Sequence, residues 1–187
     1  MGFIKSIKEI INLSKELKKS IKEIKEKEKL YLSMSHEDMA ALSDDELFEA
    51  AFSRTEHKVD SFDELEDGVN SLNNSQKIYY SVNWLEMEVN NGGLCQFFVN
   101  SSRMVAQYVS DYMGIIGAND HKELFDKFIT DNNIDLNNLS SFAIDDIDEY
   151  EKQTERYPFD DYDDAFYDME PLEEHLKKFV REHLEDF

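Results

Sequence analysis

The sequence is short of cysteine, proline, glycine and basic residues, and these shortages limit what the protein is. A single cysteine, Cys95, among 187 residues excludes an internal disulfide framework and fits a reducing compartment. Two prolines and six glycines leave room for long, uninterrupted helices. No apolar run approaches the roughly 18 residues of a membrane span, and Lys5 and Lys8 interrupt the first apolar stretch, so it does not form a signal peptide. We therefore expect a cytoplasmic protein.

Basic residues are also unevenly distributed along the chain. Asp and Glu number 42 against 20 Lys and Arg, which gives a formal net charge of −22. Residues 1–30 carry nine Lys and five Glu, so the remaining 157 residues have a net charge of −26. Because phosphate repels a net anion, we do not expect direct binding of nucleic acid. We predict a basic N-terminal segment, residues 1–33, and an acidic body, residues 34–187.

The basic segment has the pattern of one long amphipathic helix. A stripe with alternating spacings of four and three residues consists of Phe3, Ile7, Ile10, Ser14, Leu17, Ile21, Ile24, Glu28 and Tyr31. Such a stripe needs a partner surface, and three remain open. It packs on another helix, within the chain or in a homodimer; or residues 3–29 contact an anionic membrane surface, which we do not favour; or the basic arm covers the acidic body.

The acidic body has the pattern of an all-α protein with a single compact helical domain. Ser35, Ser43 and Ser61 each precede an acid by three residues, which predicts three capping boxes at helix starts. Apolar residues at helical spacing predict a helix over residues 75–90, which the Asn-Asn-Gly-Gly sequence at 90–93 ends. Four more apolar stripes, within residues 47–52, 104–116, 124–129 and 172–184, predict further helices.

The residue types that carry enzyme chemistry form no catalytic or metal-binding motif. The five histidines, at positions 36, 57, 121, 175 and 183, occur at no zinc or di-iron spacing. Cys95 has no identifiable base in the sequence, so we expect a buried, inert thiol. We therefore predict no enzyme activity, no metal and no cofactor. An uncharacterised metal-binding or enzyme domain remains an alternative, which stoichiometric metal in the purified protein would favour.

Acidic and aromatic residues are concentrated together in residues 145–170, which we call the acidic tract. Twelve acids occur there against two bases, and six aromatic residues are interleaved with them. The acids that we predict to bind a partner are Asp145, Asp146, Asp148, Glu149, Glu151, Glu155, Asp160, Asp161, Asp163, Asp164 and Asp168. A fixed row of carboxylates is electrostatically similar to a row of DNA phosphates. The expected partner is therefore a protein that binds phosphates through Lys and Arg. A solvated, solubilising face and a calcium site remain open.

One segment carries a more specific pattern than composition does. Its members are Asn91, Gly92, Gly93, Gln96, Phe97, Phe98 and Asn100. We expect the asparagine and the glycines to form a tight turn between two helices and the phenylalanines to fill the core. We expect Gln96 and Asn100 to hydrogen-bond backbone groups of that turn. All seven are therefore predicted to be structural residues.

This segment resembles the signature of a bacterial family of unknown function whose best-known type is described as a DNA-mimic protein. The resemblance extends from about residue 45 to 183. Leu94 stands where a Phe is usual, and Arg103 where a Gly is usual. The resemblance implies an all-helical fold, a homodimer as an open alternative, and no known catalysis. It also implies that surface acids occupy the DNA-binding face of another protein.

These observations lead to one leading hypothesis of function. The protein is expected to be an acidic interaction module that presents carboxylates, as substitutes for DNA phosphates, to a basic DNA-binding partner such as a transcription regulator or a nuclease. Two alternatives, besides the metal-binding or enzyme domain, remain. One is an immunity or antitoxin-like protein that neutralises a toxin, and the other is a membrane-peripheral adaptor that works through residues 3–29.

Overall fold

The computed structural model describes the backbone of residues 2–187 and the side chains from Ser14 onward. Within this part of the chain there are ten α-helices and no strands, so the all-α prediction is confirmed. The helices are α1 (Gly2–Ser33), α2 (His36–Ala40), α3 (Asp44–Val59), α4 (Leu65–Ser71), α5 (Asn74–Val99), α6 (Ala106–Ile115), α7 (Asn119–Asp131), α8 (Ile147–Thr154), α9 (Phe159–Tyr167) and α10 (Leu172–Glu182). Short 3₁₀ helices occur at Ser101–Val105, Ser140–Phe142 and Leu184–Asp186.

Two of the three predicted capping boxes are confirmed at the starts of α2 and α3. The hydroxyl of Ser35 accepts from the backbone amide of Asp38, and the Asp38 carboxylate accepts from the Ser35 amide at 3.0 Å. Ser43 and Glu46 form the same reciprocal pair. Each box satisfies two backbone amides that a helix start leaves without intrahelical partners. Local sequence is therefore sufficient to place both helix starts.

The third predicted capping box was wrong, and a fourth was missed. The hydroxyl of Ser61 donates instead to the carbonyl of Lys58 at 2.7 Å, at the end of α3, and α4 begins only at Leu65. The missed box opens α5, where Asn73 and Gln76 cap each other. Both residue types fit the general capping pattern, but an amide pair is a less distinctive signal than a serine followed by an acid.

The central element of the fold is α5. It contacts α3, α6, α8, α9 and α10, and it buries side chains around its whole circumference. Leu85 and Val89 in its first half are fully buried, as are Phe97 and Phe98 in its second half. The prediction that the two phenylalanines fill the core is therefore confirmed. A helix that is covered on all sides has weak amphipathic periodicity, so its full length was not evident from the sequence.

The predicted interruption at the Asn-Asn-Gly-Gly sequence is confirmed. Regular helix geometry breaks at Gly92 and Gly93, and a second helical stretch continues to Val99, so that α5 consists of two helical halves joined by a kink. The φ and ψ angles are −161° and 26° at Gly92, and 80° and 174° at Gly93. The positive φ of Gly93 lies in a region that only glycine adopts without strain. The glycines therefore end the first helical half and redirect the chain into the second.

The last turn of α1 is part of the core. Tyr31 is 3% exposed, and its hydroxyl donates to Glu49 on α3 at 2.8 Å. Arg54, also on α3, donates to the backbone carbonyl of Tyr31 at 3.0 Å. The same guanidinium donates to the carbonyls of Met34 and Phe187. One arginine thus joins the end of α1, the following segment and the last residue, which fixes the junction between α1 and the body.

The preceding part of α1 lies in solvent. Every side chain from Ser14 to Lys27 is exposed, including the stripe residues Leu17, Ile21 and Ile24. Between Ser14 and Lys27 the basic segment therefore does not cover the acidic body. The side chains of Phe3, Ile7 and Ile10 and the rest of the stripe before Ser14 lie outside the described residues.

One glutamate of α5 is buried beneath the start of α10. Glu86 is 7% exposed and lies next to the backbone of Leu172 and Glu173. Burial raises the pKa of Glu86 to about 7, with further increases from the charges of Glu173 and Glu174, while the backbone of the first two α10 residues opposes the rise. In the folded protein this carboxyl therefore holds its proton at pH values where an unfolded chain releases it.

The substitution Glu86→Gln tests this titration. Between an unfolded pKa of 4.5 and a folded pKa of about 7, the folded state binds more protons than the unfolded state, so the stability of the parent protein falls as pH rises. The loss is complete above pH 7 and amounts to about 3 kcal/mol, because each pH unit between the two pKa values corresponds to about 1.4 kcal/mol. The variant removes this loss.

Urea unfolding of the parent and the variant, followed across this pH window, measures the effect. The advantage of the variant should grow as pH rises from 4.5 to 7. The difference between the two proteins cancels the contribution of His121, whose pKa is lowered to about 4 chiefly by burial and which acts with the opposite sign. Parallel stability curves for the two proteins would contradict the assignment.

Candidate partner-binding surface

The acidic tract forms two short helices and the turns around them. Most of its first half lies on α8, most of its second half lies on α9, and both helices contact α5. Nine of the eleven predicted acids are exposed, namely Asp145, Asp146, Asp148, Glu151, Glu155, Asp160, Asp161, Asp164 and Asp168. Glu149 and Asp163 are half-buried. The structure therefore places most of the predicted acids on the surface of one contiguous segment.

Aromatic side chains hold this segment against the body. Phe159, Tyr162 and Phe166 on α9 are 2%, 2% and 4% exposed. The rings of Phe159 and Tyr162 pack against Phe128 of α7, and the ring of Phe166 packs against His121. Because these three rings point inward and the exposed acids between them point outward, burial of the rings fixes the positions of the carboxylates. The tract is thus an ordered acidic surface.

The carboxylates of the tract have little compensating positive charge. Among the side chains that the structure describes, only Glu170 of the tract makes an ion pair, with His175 at 3.4 Å. Arg156 turns toward the body, where it donates to the carbonyl of Ser141 at 2.9 Å and lies over the ring of Phe142. The exposed acids of α8 and α9 therefore repel one another without neutralisation by the two bases of the tract.

An exposed isoleucine lies among these acids. Ile147, the first residue of α8, is 71% exposed. With Ile144 and Tyr150 it lines a shallow cleft of about 520 Å³ beside Asn91 and Gln96 of α5. Asp145 and Asp146 lie on the same cleft, and Asp146 caps α8 by accepting from the Glu149 amide at 2.9 Å. The acidic surface thus includes an apolar contact point next to the kink of α5.

One predicted acid has a structural role. Asp163 is half-buried on α9, and its Oδ1 accepts a hydrogen bond from the backbone amide of Leu94 at 2.8 Å. Burial raises the pKa of Asp163, the bond from Leu94 opposes the rise, and the charges of Asp160 and Asp164 add to it. Asp163 therefore differs from its exposed neighbours, because its carboxylate serves the start of the second half of α5.

Two tyrosines complete the support of the kink. The hydroxyl of Tyr167, at the end of α9, donates to the carbonyl of Val89 at 2.6 Å. The hydroxyl of Tyr150 on α8 donates to the carbonyl of Gly92 at 3.3 Å. In a regular helix the Val89 carbonyl would accept from residue 93, which the non-helical glycines prevent. We call Tyr150, Asp163 and Tyr167 the kink clamp, since they bond backbone groups around the interruption and position α8 and α9.

A second glutamate of α5 organises the signature residues. Glu88 is 6% exposed, and its Oε2 accepts from Gln96 at 2.6 Å and from Asn100 at 2.8 Å. Its Oε1 accepts from the hydroxyl of Ser102 at 2.9 Å. The expected bonds from Gln96 and Asn100 to backbone groups of a turn were therefore wrong, since both amides bind a buried carboxylate. Three donors on one carboxylate satisfy a charge that burial alone would strongly destabilise.

The thiol and the most buried histidine lie inside the protein. Burial, followed by the charge of Asp163, raises the pKa of Cys95 to about 12, so the thiol is protonated at neutral pH. His121 is 2% exposed, and its Nε2 has no hydrogen-bond partner among the described residues. Its ring lies 6.4 Å from that of His175. Neither group is exposed to a reactant in solution.

No helix among the described residues contains a stretch that is both long enough and apolar enough to cross a lipid bilayer. This part of the chain also contains no group of three or more His, Cys, Asp or Glu side chains that could hold a metal ion.

The substitution Gly93→Ala tests how tightly the kink is packed. An added Cβ would collide with the Asp163 carboxylate, and the φ of 80° strains any residue other than glycine. We expect a loss of about 2–4 kcal/mol in the free energy of unfolding, measured by urea titration. Gly117→Ala is the matched control, because its φ is 81° but its Cβ would have open space. Equal losses in the two variants would show that the clamp does not restrict the kink.

Two substitutions at Asp163 separate its hydrogen bond from its charge. Asp163→Ala leaves the amide of Leu94 without its acceptor, which should lower the free energy of unfolding by about 1–3 kcal/mol. Asp163→Asn keeps an acceptor oxygen and removes a charge that burial disfavours, so its stability at neutral pH should lie close to that of the parent. A loss with Asn as large as with Ala would contradict the structural role of the hydrogen bond.

Comparison with known proteins gives one family. The model of a family described as DMP19-like protein matches residues 70–183, which is more than half of the chain. The matched residues include α5 with its kink, the Glu88 network and the whole acidic tract. They exclude α1, α2 and α3. No curated protein and no solved structure matches the chain.

Proposed function

The chain belongs to the DMP19-like protein family, and from this membership we propose that it is an acidic interaction protein that acts as a DNA mimic. Its partner is a basic DNA-binding protein, such as a transcription regulator or a nuclease. Carboxylates of the acidic tract occupy the partner surface that otherwise contacts DNA phosphates. The protein acts in this way by binding alone, without catalysis.

The observation that carries this proposal is the row of exposed, unneutralised carboxylates on an ordered base. Asp148, Glu151 and Glu155 recur every three or four residues at α8, so they follow one another by about 4.5–6 Å along the helix axis. Duplex DNA carries one phosphate per about 3.4 Å along each strand. The α8 row is less dense than phosphate, and Asp160, Asp161 and Asp164 add a second group of charges on α9.

Order in the acidic tract supports mimicry over simple solubility. A solubilising face needs charged side chains but does not need them at fixed positions. A substitute for DNA phosphates needs carboxylates at fixed positions. The kink clamp and the buried rings of α9 supply that order. Ile147 adds an apolar contact at the centre of the acids, and such a contact contributes affinity that salt does not screen.

Charge neutralisation on α9 tests the proposal. The triple substitution Asp160→Asn, Asp161→Asn and Asp164→Asn removes three exposed charges and spares the clamp residue Asp163. The control is the triple substitution Asp63→Asn, Glu66→Gln and Asp67→Asn, which removes three exposed charges next to and within α4. The two variants have the same net charge, so a difference between them reports the position of the charges.

The measurement uses a partner captured at low salt from an extract of the organism that encodes the chain. Excess parent protein should displace duplex DNA from this partner in a mobility-shift titration, and displacement should weaken steeply as salt rises. The α9 variant should displace DNA at least about tenfold less well, while the α4 variant behaves as the parent. Simultaneous binding of DNA and parent protein, or equal loss in both variants, would refute the proposal.

A further inference from the structure

The described part of α1 carries an apolar stripe that the body leaves uncovered. Leu17, Ile21 and Ile24 are 60%, 44% and 65% exposed, and they follow one another at spacings of four and three residues. This spacing is that of a helix seam that packs on another helix. At its C-terminal end α1 is held by Tyr31 and by an ion pair between Lys27 and Glu49. The helix is therefore anchored at its C-terminal end, and the stripe between Leu17 and Ile24 has no partner within the chain.

A cleft begins where the anchored end of α1 meets the body. It has a volume of about 950 Å³ and lies between α1, α3 and α5. Its apolar lining includes Phe48, Phe52, Trp84 and Met87, and Ile24 of the exposed stripe forms part of the same wall. The stripe on α1 thus continues directly into an apolar cleft, so that one partner helix is able to cover both.

The cleft has the opposite charge to α1. Six carboxylates line it, those of Glu28, Glu49, Glu56, Asp60, Glu86 and Glu173, against a single lysine, Lys27, which is paired with Glu49. Residues 14–30 of α1 carry seven Lys and four Glu. Burial raises the pKa of Glu56, whose carboxylate accepts from the Trp84 indole at 2.8 Å, so a cation that enters the cleft would relieve this group. The cleft therefore favours a basic amphipathic helix.

We propose that the occupant of this cleft is α1 of a second copy of the chain, in an antiparallel and reciprocal dimer. Each α1 is anchored at its own cleft by its C-terminal end. Only an antiparallel arrangement brings the free, N-terminal part of each helix over the cleft of the other copy. The contact is the same in both directions, as twofold symmetry requires.

The oligomeric state of the full chain in solution tests the proposal. Sedimentation equilibrium at micromolar concentration should give twice the chain mass of 22.0 kDa. The variant with Leu17→Asp and Ile21→Asp should sediment as a monomer with unchanged helical circular dichroism, because both side chains are exposed within one chain. The control Ile115→Asp changes an isoleucine that is 58% exposed on α6, and it should remain a dimer.

The contact between α1 of one copy and the cleft of the other is tested separately. Met87→Lys and, in a second protein, Asp60→Lys each add positive charge to the cleft and should weaken the dimer roughly tenfold or more. The control Tyr108→Lys changes an exposed side chain on α6, away from the cleft lining, and should have no effect.

Four results would overturn the proposal. These are a monomeric parent protein, a dimer that survives the two substitutions on the stripe, a dimer that needs the stripe but is insensitive to both substitutions in the cleft, and a monomer that floats with anionic phospholipid vesicles. The last result would assign the stripe to a membrane surface.

Discussion

The kink in the central helix α5 is the constraint on which the rest of this structure depends. Gly92, which is exposed, and Gly93, which is buried, interrupt α5 and leave backbone groups on both sides of the interruption without their intrahelical partners. Side chains from α8 and α9 supply bonds in place of the helix, through the kink clamp. The kink therefore determines where the two acidic helices lie.

Two acids, the buried Glu88 and the half-buried Asp163, hold the segments around the kink together through hydrogen bonds. Glu88 occupies the core because three donors from the second half of α5 and the following 3₁₀ helix meet its two oxygens. It thereby links the two sides of the kink through side chains, while Asp163 links the kink to α9. Bonds of this kind select one geometry, since a misplaced segment leaves a charged or polar group unpaired.

The distribution of charge along the chain agrees with two separate interaction surfaces. Acids on α8 and α9 are held outward by aromatic residues that face inward, and mutual repulsion on this surface lowers stability without contributing to the core. The basic segment, by contrast, carries lysines that flank the apolar stripe of α1. The family match includes the first surface and excludes the second. The acidic tract thus lies within the part of the chain that the family model matches, whereas α1 lies outside it.

Local signals in the sequence were sufficient for the class of fold, most helices and the composition of the acidic tract. Capping by Ser35 and Ser43 depends on residues three positions away, and the apolar stripes of α6, α7 and α10 repeat within a few turns. Both kinds of signal can therefore be recognised within one short segment of sequence. The same local view located the interruption at Gly92 and Gly93, because glycine tolerates the positive φ that such a turn needs.

Only the tertiary structure showed what supports this interruption, because the groups that bond its backbone come from 58 to 78 residues further along the chain. It also decided which acids serve the fold. Glu86, Glu88 and Asp163 are identical in type to dozens of exposed acids, and burial and hydrogen-bond partners alone distinguish them. The sequence by itself determined that the protein is helical and acidic. The packing determined which of its carboxylates face solvent and are free to meet a partner.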